Sequence, residues 1–182
     1  MPRNDDDIKI FHPKKKETAS ADLAALAATM DQQRTNGNAQ KAEELGAALA
    51  ALSPETLLPD TAKTLANNEL LQLRALIVFA AQLALHKYLP HPMLATQAIN
   101  AMHARLEETS PGLAANIADG SSFSFYYLCV RTKADETRDI GENFAMLCER
   151  DNDERFIALG SRAYLLTDAA VWAQVDARAF EA

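Results

Sequence analysis

The chain has 182 residues, of which 48% are hydrophobic and 24% charged, and its formal net charge is −7. This length fits one domain and is sufficient to bury a substantial core. A folded surface with excess negative charge repels phosphate backbones, so we do not expect a nucleic-acid partner. Glycine (6) and proline (7) are scarce, which favours helices joined by short connections.

The first 17 residues show no hydrophobic period. Their charges nearly cancel, because DDD at 5–7 opposes KKK at 14–16. We expect residues 1–17 to form a disordered tail, although HPKKKE also has the composition of a localisation or polyanion-binding patch. No apolar stretch typical of a secretory signal occurs here, so the default expectation is a cytoplasmic protein.

Residues 18–52 are predicted to form a helical hairpin rich in alanine. The first helix, over 18–34, has three apolar residues at helical spacing, Leu23, Leu26 and Met30. A polar turn follows at 35–38, where Asn38 is a candidate N-cap. The second helix places four apolar residues on one face, Ala42, Leu45, Leu49 and Leu52. Because alanine buries little area, we expect this hairpin to be the least stable part of the fold.

The run ALIVFAAQLAL at 75–85 contains a single polar side chain, Gln82. Eleven residues fall short of the roughly 20 that span a bilayer, which indicates a core helix rather than a membrane segment. We predict this helix over 61–88, with a possible break near Asn67 and Asn68. A buried amide requires hydrogen-bond partners, so Gln82 is expected to bond a neighbouring helix or to face a ligand cavity.

Two histidines, His86 and His91, follow this run. A predicted helix end and Pro90 separate them, and Pro92 follows His91, so they do not share a helix face as metal ligands would. His91 instead lies where the next helix, over 92–108, would be capped. We predict no metal site and no cofactor.

The stretch SFSFYYLCVRTK at 122–133 fits two periods. Alternation would place Phe123, Phe125, Tyr127 and Cys129 on one face of a strand, whereas a helix capped by Ser122 would group Phe123, Tyr126, Tyr127 and Val130. Because no second strand of similar quality is available for pairing, we predict a helix.

Two further helices are predicted, over 135–149 and after the polar break ERDNDE. Gly141 and Gly160 lie between apolar residues and would let these helices approach closely. Cys129 and Cys148 lie among large apolar residues, so we expect buried free thiols. The sequence as a whole predicts an all-α, single-domain bundle of about seven or eight helices over 18–182, with 60–182 as the main bundle.

The region between Tyr126 and Arg162 holds the best concentration of side chains for ligand binding. Helical spacing pairs Tyr127 with Arg131 and Arg138 with Glu142. Arg155 and Arg162 are two turns apart on one face of the last helix. If these three helices pack as neighbours, the aromatic and guanidinium groups would line a groove for an anionic ligand.

No nucleophile with a matching base and no glycine-rich phosphate loop is found, and we identify no catalytic residue. The favoured function is therefore a non-catalytic protein-interaction or self-association module, with Trp172 on a surface that one chain does not cover. The alternative is a small-molecule-binding or enzymatic domain that uses five residues, Tyr127, Arg131, Arg138, Glu142 and Arg162.

Overall fold

The computed structural model describes the backbone of residues 16–132 and 135–181 and the side chains of 23–131 and 135–181. Every regular element in these ranges is a helix, which confirms the predicted all-α class. The helices are α1 (Lys16–Thr35), α2 (Asn38–Leu49), α3 (Pro54–Leu57), α4 (Pro59–Ala62), α5 (Asn67–Tyr88), α6 (Pro92–Thr109), α7 (Pro111–Asp119), α8 (Ser121–Thr132), α9 (Glu136–Leu147) and α10 (Glu154–Asp176). The predicted tail lies almost entirely outside the described residues.

The central helix is α5, which starts at Asn67 after a short interruption that follows α4. The predicted break in the third helix is thus confirmed. By length and composition α5 could cross a membrane, but most of its apolar stretch is buried inside the bundle. Helices α6, α7, α8 and α10 all pack against it, so its apolar sides are covered by protein. It is the core helix of the bundle.

Two hydrophobic clusters lie on either side of α5. The first joins α5 to α2, α6, α7 and the end of α10, and includes the fully buried Leu45, Leu94 and Met102. The second joins α5 to α8, α9 and α10 around Phe79, Tyr126 and Phe144. The predicted inner face of α2 is confirmed for Ala42, Leu45 and Leu49, which are buried, whereas Leu52 lies beyond the end of α2 and is partly buried.

Close helix approach depends on glycine at three positions. A Cβ atom at Gly141 would collide with the Ile157 carbonyl of α10, and one at Gly160 would meet the Phe144 side chain of α9. This confirms the role predicted for both glycines. A Cβ atom at Gly46 of α2 would collide with the Ala98 carbonyl of α6, a contact that the sequence did not reveal.

The ambiguous stretch at 122–133 is helical in its described part, α8, as predicted. Its buried residues are Ser122, Tyr126 and Cys129, whose i, i+4, i+7 spacing is that of one helix face. Ser122 is not a cap, because α8 begins one residue earlier and the Ser122 hydroxyl donates to Gln72 Oε1 at 3.1 Å. Tyr127, predicted to lie on the inner face, is 45% exposed.

Asn38 does not cap α2 as predicted. The N-cap is Gly37, whose φ of 77° lies in the left-handed region that glycine tolerates best. Asn38 is the first residue of α2 and is wholly buried. Its amide nitrogen donates to Gln33 Oε1 at 2.7 Å and to the Glu181 carbonyl at 2.8 Å, and its Oδ1 accepts from the Glu181 N–H at 3.1 Å. Asn38 thereby ties the end of α1, the start of α2 and the C-terminal segment together.

Candidate functional site

The five predicted ligand-binding residues lie on three helices. Tyr127 and Arg131 are on α8, where Arg131 is exposed and the Tyr127 ring lies edge-on to Phe79 with centroids 5.0 Å apart. Arg138 and Glu142 are on α9, and Arg162 is on α10. Arg162 lines a cleft that includes none of the other four. The structure therefore does not gather the five residues around one described cleft.

The predicted pair of Arg138 and Glu142 is present, with Arg138 Nε 2.9 Å from Glu142 Oε1. The same guanidinium donates to Glu154 Oε1 at 3.1 Å, so it links α9 to the first turn of α10. All three side chains are exposed. Exposed pairs of this kind add little to stability, and two carboxylates already engage the cation. Arg138 is thus poorly placed to bind a further anion.

A polar cleft of about 460 Å³ lies between α10, the turn after α4 and the start of α5. We call it the arginine cleft. Three arginines share it, Arg150, Arg155 and Arg162, with one carboxylate, Glu69. The remaining lining residues are Thr61, Thr64, Leu65, Phe156, Ala158 and Leu159.

Glu69 is fully engaged by protein groups. Its Oε1 accepts two hydrogen bonds from Arg150, at 2.9 and 3.0 Å, and its Oε2 accepts from the Ala66 N–H at 2.9 Å. The Ala66 N–H, reinforced by Arg150, lowers the pKa of this nearly buried carboxyl. Glu69 therefore stays ionised at neutral pH, fixes the start of α5 and holds the Arg150 guanidinium at the cleft.

Arg155 and Arg162 differ from Arg150 in having no carboxylate partner within the described chain. Both side chains are exposed at the cleft. Phe156 and Leu159 lie between them along α10 and form an apolar floor. The Phe156 ring stacks on Phe144 with centroids 6.3 Å apart, and the Arg150 guanidinium lies 5.5 Å from the Phe156 ring centroid.

Exposed apolar side chains form a second kind of candidate site. On α1, Leu23 is 67% exposed, Leu26 50% and Met30 38%. On α10, Leu165 and Trp172 are each more than half exposed, as predicted for Trp172, and they lie seven residues apart on one face. Phe125 and Leu128 add an exposed patch on α8.

Three of the other polar residues in the predicted loops and core, Gln82, His91 and Asp153, have structural partners. The Gln82 amide nitrogen lies 2.7 Å from His103 Nε2 on α6, which confirms an inter-helix hydrogen bond. His91 caps α6, as predicted, by accepting the Met93 N–H at 3.1 Å through Nδ1. Asp153 of the polar break caps α10 by accepting the Arg155 N–H at 2.9 Å. Within the described ranges, no group of three histidine, cysteine or acidic residues is arranged to hold a metal.

Both cysteines are buried thiols that form no disulfide, as predicted. Burial raises the pKa of Cys129 and raises that of Cys148 to about 12. Because the thiolate is the reactive form, neither group is suited to nucleophilic chemistry at neutral pH.

Sequence reasoning missed most of the arginine cleft. It noticed Arg155 and Arg162 but not Arg150 and Glu69, which are 81 residues apart in the chain. The only local signal was the position of Glu69 near the predicted helix break at Asn67 and Asn68. An acidic side chain in the first turn of a helix can accept a hydrogen bond from the backbone N–H of the N-cap residue. The pairing of Glu69 with Arg150 exists only because the tertiary fold brings the turn between α9 and α10 against the start of α5.

No family model matches the chain, and no curated protein or solved structure matches it significantly. Any function must therefore be inferred from the geometry described above.

Proposed function

We propose that this protein is a self-association module in which two copies pair through α1. The observation that carries the proposal is the exposed stripe Leu23, Leu26 and Met30. Burying such side chains contributes roughly 1.5–3 kcal/mol each when burial is complete. A surface that leaves three of them in water on one helix is typical of an interface awaiting its partner.

The helix itself needs a partner for stability. α1 has 20 residues, and within the described chain it packs mainly against α2. In folded proteins most helical stability comes from packing an apolar face rather than from intrinsic propensity. Pairing of α1 with another helix would supply that packing. By contrast, α10 is already anchored through α5 and α9, so its exposed face needs no partner to keep the helix folded.

The spacing of the stripe favours a helix as the partner. Positions 23, 26 and 30 are three and four residues apart, which is the spacing of a coiled-coil seam. A second copy of α1 fits the charge balance, because α1 carries two basic and three acidic residues in a chain whose net charge is −7. Two such helices meet with little repulsion, and a symmetric pair uses the same patch twice.

Sedimentation equilibrium of the purified full chain tests this proposal. We expect the wild type to be a dimer and Leu26→Asp to be a monomer that keeps its helical circular dichroism. Leu128→Asp is the matched control, because Leu128 is a 59% exposed leucine on α8 and its substitution should leave the dimer intact. The proposal would be contradicted by a wild type that stays monomeric at protein concentrations well above typical dimer dissociation constants. A dimer that survives Leu26→Asp would also contradict it.

Cytoplasmic location and the lack of a catalytic role remain parts of this proposal. The burial of α5 inside the bundle supports a chain that folds in water. The engaged or buried state of the histidines and cysteines discussed above supports a binding role rather than a catalytic one.

A further inference from the structure

We propose that the arginine cleft binds a small organic anion, with a carboxylate or phosphate group held by Arg155 and Arg162 and an apolar part resting on Phe156 and Leu159. This site lies on α10, α5 and the turn after α4, away from the stripe on α1. It is therefore independent of the self-association proposed above.

The charge balance of the cleft is the first argument. Three guanidinium groups line it against one carboxylate, and both oxygens of that carboxylate already accept hydrogen bonds. Two positive charges thus remain uncompensated among the lining residues, in a chain whose net charge is −7. Guanidinium groups bind planar oxyanions through paired N–H donors, and a concave site strengthens that attraction by excluding part of the solvent.

Comparison with a second cleft shows that this excess is not a general property of arginines in the protein. A cleft of about 330 Å³ between α2, α6 and the 51–55 segment is lined by Arg74 and Arg105. Arg74 pairs with Glu55 at 2.7 Å, and Arg105 pairs with Glu108 at 2.9 Å. Those cations are neutralised by neighbouring carboxylates, whereas Arg155 and Arg162 are not.

The shape and lining of the arginine cleft define the ligand class. Its volume of about 460 Å³ lies in the range of small-molecule sites. Arg155 and Arg162 are two helical turns apart, about 10 Å along the axis, with Phe156 and Leu159 between them. An inorganic anion would leave that apolar floor uncovered, while an anion with a flat apolar group would contact both the arginines and the floor. Thr61 and Thr64 also line the cleft.

Isothermal titration of the full-length protein with four probes tests the site. The probes are benzoate, phenyl phosphate, inorganic phosphate and the neutral benzamide. We expect an aromatic anion to bind more tightly than inorganic phosphate or benzamide, and to raise the midpoint of thermal unfolding. Whether benzoate or phenyl phosphate binds better identifies the oxyanion. Binding should weaken as salt is added, because exposed guanidinium groups are screened.

The double variant Arg155→Gln/Arg162→Gln should lower the affinity at least about tenfold, since each charge-assisted contact contributes a factor of a few. The matched control is Arg105→Gln/Arg131→Gln, which removes the same charge outside the cleft and should bind normally. The proposal is overturned if no probe binds at about millimolar concentration, if benzamide binds as well as the anions, or if both double variants behave alike. Tighter binding of inorganic phosphate than of either aromatic anion would overturn the proposal that Phe156 and Leu159 contact an apolar part of the ligand.

Discussion

The two helices of the N-terminal hairpin, α1 and α2, have similar alanine-rich sequences, but the fold buries the apolar face of α2 and leaves that of α1 exposed. α2 buries Ala42, Leu45 and Leu49 against α6, in the most extensive helix contact of the described chain. α1 leaves Leu23 and Leu26 in water although they are as apolar as the leucines of α2. Amphipathic spacing thus does not determine burial by itself.

This difference in burial depends on the surface against which each helix packs. Gly46 removes a side chain where α2 crosses α6, so the two backbones come into contact at Ala98. Among the described side chains of α1, residues 23–35, no comparable close approach occurs, and Gln33 near the C-terminal end hydrogen-bonds Asn38. The expectation that the whole 18–52 hairpin would be weakly held therefore applies more naturally to α1 than to α2.

The largest expected effect comes from truncating the matched leucines. Leu45→Ala should lower the free energy of unfolding by about 2–5 kcal/mol, because a fully buried side chain leaves a cavity. Leu26→Ala should change it by less than about 0.5 kcal/mol when measured on the monomer. Urea denaturation of the wild type and both variants, at a protein concentration low enough to keep all of them monomeric, makes the comparison. Equal losses would show that α1 is as firmly packed as α2.

Gly46→Ala tests whether the close approach of the α2 and α6 backbones stabilises the position of α2. The added Cβ would meet the Ala98 carbonyl, so we expect a loss of about 1–3 kcal/mol or more. Gly112→Ala on α7 is the control, because no atom lies within 4 Å of its Cβ position. That substitution should be neutral or stabilising by up to about 1 kcal/mol. If Gly46→Ala were equally harmless, α2 would have to shift freely on α6.

Asn38→Ala tests the connection between the two helices. It removes the hydrogen bonds to Gln33 and Glu181 and leaves their polar atoms without that partner, which should cost about 1–3 kcal/mol. Asn100→Ala, an exposed asparagine on α6, should cost less than about 0.5 kcal/mol. Proteolysis of the C-terminal segment should also become faster in Asn38→Ala alone. Unchanged stability and cleavage would mean that α1 and the C-terminus are held elsewhere.

The smallest expected effect is the pH dependence of stability that arises from His103 on α6, the helix against which α2 packs. Burial lowers the pKa of His103 on α6, against the opposing charge of Glu107. As pH falls through about 6.5, the unfolded chain takes up this proton before the folded chain does, so the folded state loses stability. We expect a loss below about 1 kcal/mol, since His103 is only half-buried. His103→Gln should flatten this part of the pH profile, and identical profiles would exclude His103 as the cause.

Much of the fold could be predicted because it depends on local patterns. The interruption before α5, the capping of α6 by His91, and the helix-pair glycines Gly141 and Gly160 follow from residue types and spacing. The helix α8 was predicted correctly by elimination, since a lone strand would leave its backbone unpaired. Its inner face was partly misplaced, because two adjacent tyrosines fit the periodicity. Both rings contact Phe79, but only Tyr126 is buried, whereas Tyr127 stays 45% exposed.

The candidate site could be predicted only in part. Arg155 and Arg162 were found because they share a helix face, and Arg138 with Glu142 because they are one turn apart. The sequence could not show that the first pair lines a cleft while Arg138 is neutralised by Glu154. Nor could it reveal Arg150 and Glu69, whose contact joins residues 81 positions apart.

The sequence by itself therefore determined the helices, most of their ends and most of their inner faces, because these follow from propensity, capping and a period of 3.6 residues. Only the tertiary structure decided which apolar faces are covered, which cations keep a neutralising partner and where a cleft remains open. Those outcomes depend on contacts between distant segments, and side-chain periodicity within one helix contains no information about the surface that another helix presents.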